Sequence, residues 1–320
     1  MVSLKDIQNA RSLLHNIAVR TPLVLCKLPD DWQIFIKPEN LQPVGSFKLR
    51  GAYNKISSLT PDERKRGVVA HSSGNHAQGV AFAARALGVK AMIVMPSTAP
   101  KVKLDATRAL GAELVLVGPA SEDRIKKAEE LEQERGLVPV PPYNDEKIIA
   151  GQGTIGLEII EDMAEVELVL VPVGGGGLIS GVATAIKESN PRAKIFGVEP
   201  EFAADAQASF RSGKIQSISG ESVARTAADG LRSQSIGEIN FEHIRKYVDG
   251  IVTVTEDEIR RAMRRLLFSA RVLAEPSGAV TTAAAMFHAE ELPASGKTVA
   301  VLTGGNIEPQ LFSDMLLQTV

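Results

Sequence analysis

The sequence predicts an α/β fold assembled from parallel βαβ units. Three observations carry that prediction. Short apolar runs alternate with helix-patterned stretches along most of the chain. Glycines close several of those helices in turn. The 320 residues suit about two domains at a prior of roughly 150 residues each.

Taken in order, residues 1–18 place Leu4, Ile7, Leu13, Leu14 and Ile17 among polar residues. That pattern reads as an amphipathic helix and lacks the continuous apolar core of a signal peptide. Ile34–Lys37 reads as a strand. Gly67–Ser72 is a strand leading to a helix that opens at Asn75 and stops at Gly88. Ala91–Pro96 is the next strand, followed by a helix over Val102–Leu110 that stops at Gly111. The strand Glu113–Val117 and the charged helix Glu122–Arg135, stopped by Gly136, complete this half. Glycine suits such stops because it takes the left-handed conformation without a Cβ clash. Pro139, Pro141 and Pro142 interrupt the pattern, so Val138–Asn144 is expected to cross between domains. Leu168–Val173 is a buried strand running into Gly174–Gly177 and a helix. Ala193–Val198 and Ile251–Val254 are strands, Thr255–Glu258 is a capping box, and Lys297–Thr303 is the last strand.

Composition narrows the function. Lys+Arg 36 against Asp+Glu 38 gives a net charge of −2, so no field draws the chain to nucleic acid or an anionic membrane. With 10 Phe, 3 Tyr and 1 Trp, a stacking platform for single strands is not expected. No apolar run approaches the ~20 residues that span a bilayer. The single cysteine, Cys26, excludes an intrachain disulfide and a multi-cysteine zinc site, and it fits a reducing, cytoplasmic setting. What remains is an enzyme of small molecules.

Several local patterns can be read on their own chemistry. Gly174–Gly177 lies between a strand and a helix, where backbone N–H groups and the helix N-terminus favour a phosphate. It is not a dinucleotide fingerprint, because the third glycine position falls on Ile179. Gly296-Lys297-Thr298 mimics the end of a phosphate-binding P-loop, but the upstream glycine position holds Glu291. The five histidines show no HExxH spacing, and no GxSxG elbow is present. Lys48, taken alone, is one lysine among many.

Taken together, an ordered set of segments resembles the fold-type II enzymes that use pyridoxal phosphate (PLP), in particular the threonine/serine dehydratase and serine racemase branch. The segments are Lys37-Pro-Glu-Asn-Leu-Gln42, Gly45-Ser-Phe-Lys-Leu-Arg-Gly51, Ser72-Ser-Gly-Asn-His-Ala-Gln-Gly79, Ala150-Gly-Gln-Gly-Thr-Ile-Gly-Leu-Glu158, Gly174–Leu178, Ala228-Asp-Gly230 and Thr303-Gly-Gly-Asn306. They span nearly the whole chain. The resemblance implies two open parallel-sheet, three-layer αβα domains of the tryptophan synthase β type. Residues 1–66 and 145–320 would form a large PLP-binding domain, and residues 67–144 a small mobile one.

The resemblance also implies roles. Lys48 would carry the cofactor covalently and act as the base at the substrate Cα. Gly174, Gly175, Gly176, Gly177 and Leu178 would hold the phosphate. Asn75 would bond the cofactor's 3-oxygen, Phe47 would wall the ring, and Thr303 would face the pyridine nitrogen. A neutral hydroxyl there leaves a weaker electron sink than an aspartate would, which favours β-elimination over transamination. Ser72, Ser73, Asn75, His76 and Gly230 would bind the substrate. The implied reaction is dehydration of an L-β-hydroxy amino acid such as L-threonine or L-serine to a 2-oxo acid and ammonia. Ser73 stands where many dedicated dehydratases have alanine and racemases have a second acid/base, so serine racemisation is the alternative. Dehydration of threo-3-hydroxyaspartate is a further one. Glu199, Ala203 and Asp205 match the spacing of the branch's divalent-cation site, and oxygen ligands select Mg²⁺, Ca²⁺ or Mn²⁺. The chain ends 14 residues after Asn306, so a C-terminal regulatory domain is not expected. A homodimer is expected from the family alone.

Overall fold

The computed structural model describes residues 1–29, 32–72, 74–99 and 101–317; Ser73 lies outside the described residues. In chain order the strands are Val24–Lys27 (β1), Gln33–Pro38 (β2), Val68–His71 (β3), Ala91–Pro96 (β4) and Glu113–Val117 (β5). Val138–Pro139 (β6), Leu168–Pro172 (β7), Lys194–Pro200 (β8), Gly250–Val254 (β9) and Thr298–Leu302 (β10) follow. They form two sheets, of order β1-β2-β10-β7-β8-β9 and β5-β4-β3-β6. Every neighbouring pair is parallel except β1 with β2.

The larger sheet is covered on both faces, which is why its strands read as continuous apolar runs. Alternation of side chains divides them between two layers. Leu168, Leu170, Val198, Val252, Ala300 and Leu302 pack under helices 256–265 and 276–287. Val169, Val171, Ile195, Ile251, Val299 and Val301 face helices 146–162, 177–189 and 238–247. In the smaller sheet Val68, Ala70, Ile93 and Met95 pack with Ala52 and Ile56 of helix 48–57 and Val80 of helix 75–86. Val69, Met92 and Val94 meet Ala128 and Leu131 of helix 121–135.

Most elements lie within a few residues of the sequence reading. The N-terminal helix is Leu4–Leu14, and Thr255 makes its capping box with Glu258. Gly88, Gly111 and Gly136 all have positive φ at the expected stops. Part of the expected crossing needs correction. Val138–Pro139 is the edge strand β6, pairing parallel with β3, and Val140 N–H still donates to Val69 O. A proline is tolerated there because it stands on an edge. The crossing therefore begins only after Val140. Among the elements the sequence does not announce, three have a clear physical reason. β1 buries only Cys26, so its alternation is faint. Helix 276–287 is alanine-rich and buried along most of its length, with no polar stripe to mark it. Helix 146–162 contains Gly151, Gly153 and Gly156, which argue against a helix until its packing is known.

Each sheet has a point where chain order reverses. The chain leaves β7 toward β8 and β9 and returns on the other side of β7 as β10. Likewise it leaves β3 toward β4 and β5 and returns on the other side of β3 as β6. Crevices beyond the carboxyl ends of strands at such reversals are where open α/β sheets bind ligands. The segments following β3, β6, β7 and β10 all line one cavity of about 220 Å³. Among the described residues, no helix is long and apolar enough to cross a membrane.

Candidate active site

Lys48 is placed by backbone pairing. Ser46 bridges Gly304, Phe47 N–H donates to Thr303 O (3.1 Å), and Gly305 N–H donates to Gly45 O (3.0 Å). Helix 48–57 thus starts beside the carboxyl end of β10, with Phe47 and Lys48 both on the cavity wall. Lys48 Nζ donates to Pro142 O (2.9 Å) and stands 5.2 Å from the Phe47 ring centroid. Burial pushes its pKa down from the usual 10.5 to about 8. The helix start is pinned from below. Arg50, fully buried, pairs with Glu39 (2.8 Å) and Glu158 (2.6 Å), and Lys37 Nζ reaches Glu158 (2.6 Å) and Thr21 O (2.6 Å). Two cations and two carboxylates compensate one another, as burial demands. These members of the sequence motifs hold the lysine's helix to β2 and to helix 146–162.

The glycine run follows β7 directly. Gly176 has φ +93 and forms the N-cap of helix 177–189 without a side-chain cap, which leaves the helix's first N–H groups for an anion. Gly174, Gly175, Gly176, Gly177 and Leu178 all line the cavity. Two of these glycines also have a packing reason. A Cβ on Gly175 would lie 2.2 Å from the Tyr143 ring, and one on Gly177 would lie 3.0 Å from Tyr143 Cα. Thr303, at the end of β10, is buried, and its Oγ1 has no hydrogen-bond partner.

Ser72, Asn75, His76 and Gly230 line the same cavity. His76 is buried and bonds Val140 O through Nε2 (2.8 Å). Burial, and secondarily Lys48, push its pKa down to about 3, so it is a neutral imidazole. Gly230 N–H donates to the Ser277 hydroxyl oxygen (2.9 Å). Glu275 was not foreseen. It is buried, lines the cavity, and accepts from Asn75 Nδ2 (2.6 Å) and Asn306 N–H (3.1 Å). Burial, reinforced by Asp229, raises its pKa to about 8. The available signal was Glu275-Pro276-Ser277-Gly278 before an alanine run, because proline favours the first position of a helix. Across the cavity mouth, Lys103 of helix 101–109 pairs with Asp229 (2.6 Å).

Glu199 and Asp205 lie outside this cavity but close to each other. Both are buried. Glu199 accepts from the N–H groups of Ala206 (3.0 Å) and Gln207 (2.7 Å), whereas both Asp205 oxygens have no partner. Burial and then Asp205 push the Glu199 pKa well above the usual carboxylate range, and burial raises Asp205 to about 7. Ala203 ends the short turn Glu201–Ala203 between them. Among the described residues, no cluster of three His, Cys, Asp or Glu side chains is built to hold a metal.

A family model described as pyridoxal-phosphate dependent enzyme matches residues 16–304. The chain belongs to that family. Within it, the chain is 47% identical over 320 residues to the L-threonine ammonia-lyase of Thermotoga maritima, covering 99% of this chain and 78% of that protein. The crystal structure of a threonine deaminase from T.th. matches with a TM-score of 0.89 at 41% identity, over 96% of this chain and 99% of that one. Maize serine racemase matches with a TM-score of 0.92 at 35% identity, over 98% and 97%. The residues present fit a PLP group. Lys48 is a desolvated amine, the glycine run is a backbone anion cradle, and the buried Thr303 hydroxyl is free to bond a ring nitrogen. The fold-type II, two-sheet architecture is that of this family.

Proposed function

We propose that the protein is a PLP-dependent ammonia-lyase that converts L-threonine, and L-serine, to a 2-oxo acid and ammonia. The observation that carries this reading is the amine of Lys48, desolvated by burial, in one cavity with the glycine run and the hydroxyl of Thr303. The names of the 47% identical relative and of the threonine deaminase structure support the substrate.

When bound, PLP supplies the electron sink that stabilises charge at the substrate Cα. Gly174–Gly177 and the start of helix 177–189 would hold its phosphate, Asn75 would bond its 3-oxygen, and Thr303 would bond its ring nitrogen without bringing charge. Lys48 Nζ, neutral above about pH 8, takes the Cα proton. Ser72 and the N-terminus of helix 75–86, which carries Asn75 and His76, would receive the substrate carboxylate; the His76 ring is neutral and bonds Val140 O. The Cα proton and β-hydroxyl leave as water, and hydrolysis of the resulting enamine gives the 2-oxo acid and ammonia.

Residues 1–66 with 145–320, and residues 67–144, are read as the large and small domains. The four strands of the smaller sheet fall between Val68 and Pro139, and Lys103–Asp229 spans the two. A divalent cation, Mg²⁺ or else Ca²⁺ or Mn²⁺, is assigned to Glu199, the Ala203 carbonyl and Asp205. The burial of the Asp205 carboxyl beside that of Glu199 supports it. A second copy of the chain, in a homodimer, is assigned to the surface that carries exposed Leu41 and Leu273, which lie together because Asn40 Nδ2 donates to Leu273 O (2.8 Å); the cytoplasmic setting is read from the single cysteine.

The test is a panel of L-threonine, L-serine and threo-3-hydroxyaspartate, reading 2-oxo acid and D-enantiomer together, with Mg²⁺ and with chelator. Keto acid from threonine is expected to dominate, with a lower rate in chelator. D-serine formed faster than keto acid, and abolished by Ser73→Ala, would turn the reading to a racemase.

A further inference from the structure

The geometry points to Glu275 as a residue that, together with Asn306, holds the orientation of the Asn75 amide, and with it the hydrogen bond offered to the cofactor's 3-oxygen. The inference rests on the proposed role of Asn75 and goes one step behind it.

The orientation of Asn75 follows from a chain of donors and acceptors. Asn306 Nδ2 lies 2.8 Å from Val44 O, a carbonyl that can only accept, so this atom of Asn306 is its nitrogen. The same nitrogen lies 2.8 Å from Asn75, and that atom must therefore be the amide oxygen. The Asn75 nitrogen is then left facing Glu275 Oε1 at 2.6 Å. The other carboxylate oxygen, Oε2, accepts from the backbone N–H of Asn306 at 3.1 Å. Glu275 thus meets donors on both oxygens. Burial raises its pKa to about 8 against the two hydrogen bonds, and in either protonation state a carboxyl oxygen remains to accept from Asn75. One of the two Asn75 amide protons is committed to Glu275, and the second remains for the cavity that Asn75 lines.

The arrangement is held stiffly. Glu275 N–H donates to Gly304 O (3.0 Å), and Glu275 is the N-cap of helix 276–287, whose first residue is Pro276. A Cβ on Gly304 would lie 2.6 Å from Glu275 Oε1, so the glycine leaves room for the carboxylate. Asn75 opens the helix that packs on the smaller sheet, whereas Glu275 and Asn306 flank β10 of the larger one. Glu275 is therefore a positioning residue that acts through Asn75.

The experiment is a double-mutant cycle on PLP affinity, read by fluorescence titration of the apo protein, with the visible absorption maximum of the loaded protein as second readout. Glu275→Ala is expected to weaken PLP binding about tenfold, the scale of one or two lost hydrogen bonds. In an Asn75→Ala background the same substitution is expected to add nothing further. Glu275→Gln keeps the shape but sets one amide group against a donor, and it should shift the absorption maximum in the same direction as Asn75→Ala. This variant carries the test if Glu275→Ala fails to fold. Equal losses from Glu275→Ala with and without Asn75, or a Glu275→Gln protein with wild-type affinity and spectrum, would overturn the inference. An Asn75→Ala protein that binds PLP with wild-type affinity and spectrum would instead overturn the underlying role of Asn75.

Discussion

Lys48 shows how one side chain acquires a property its type does not have. Its ordinary pKa of 10.5 would leave it almost wholly protonated at neutral pH, and burial brings that value to about 8. Only the neutral amine attacks an aldehyde. The rate at which apo protein takes up PLP should therefore rise with pH, pass its midpoint near 8 and level off above it. Stopped-flow absorbance from about pH 6 to about pH 10 measures this, and a rate still climbing steeply at the upper end contradicts it. At this scale the sequence spoke unevenly. Lys48 became conspicuous only through the ordered motifs around it, and the glycine run through its place between strand and helix. Glu275 stayed hidden because its importance lies in Asn75 and Asn306, residues 200 and 31 positions away.

Among the secondary elements, helix 146–162 is the spacer that brings the two halves of the site together. Gly151 faces the helix of Lys48, where a Cβ would lie 2.6 Å from Arg50 O. Gly153 faces the helix that follows the glycine run, where a Cβ would lie 2.9 Å from Gly181 O. The opposing Gly181 is tighter still, with a Cβ 2.3 Å from Ile149 O and 2.5 Å from Gly153 N. Backbone cannot yield as a side-chain tip can, so Gly181→Ala must push two helices apart. It is expected to cost ~1–3 kcal/mol and lower the urea midpoint of the apo protein; an unchanged midpoint would count against this packing. The same glycines explain why the helix was illegible. Propensity counts them as breakers, and only the neighbouring helices turn that cost into close packing. Strands were easier, because burial on both faces writes them as continuous apolar runs.

Over the whole molecule, the site exists because two sheets present their reversal points to one another. The segments after β3 and β6 come from one sheet, those after β7 and β10 from the other, and Lys103–Asp229 and Asn75–Glu275 join across. Alternating strands and helices announced both sheets, but no periodicity states which loops will face each other. That arrangement appears only when the chain closes. The near-neutral net charge of −2 suits the proposed function, in which backbone amides of the glycine run would take the place of a basic patch as the anion site. On the proposed function, Lys48, buried in the wall of the cavity where these loops meet, is the lysine that would carry PLP. Borohydride reduction of the PLP-loaded protein followed by peptide mass mapping tests that assignment most directly. The reduced cofactor is expected on Lys48, with no labelling in Lys48→Ala; a cofactor fixed to another lysine, or none fixed at all, would contradict it.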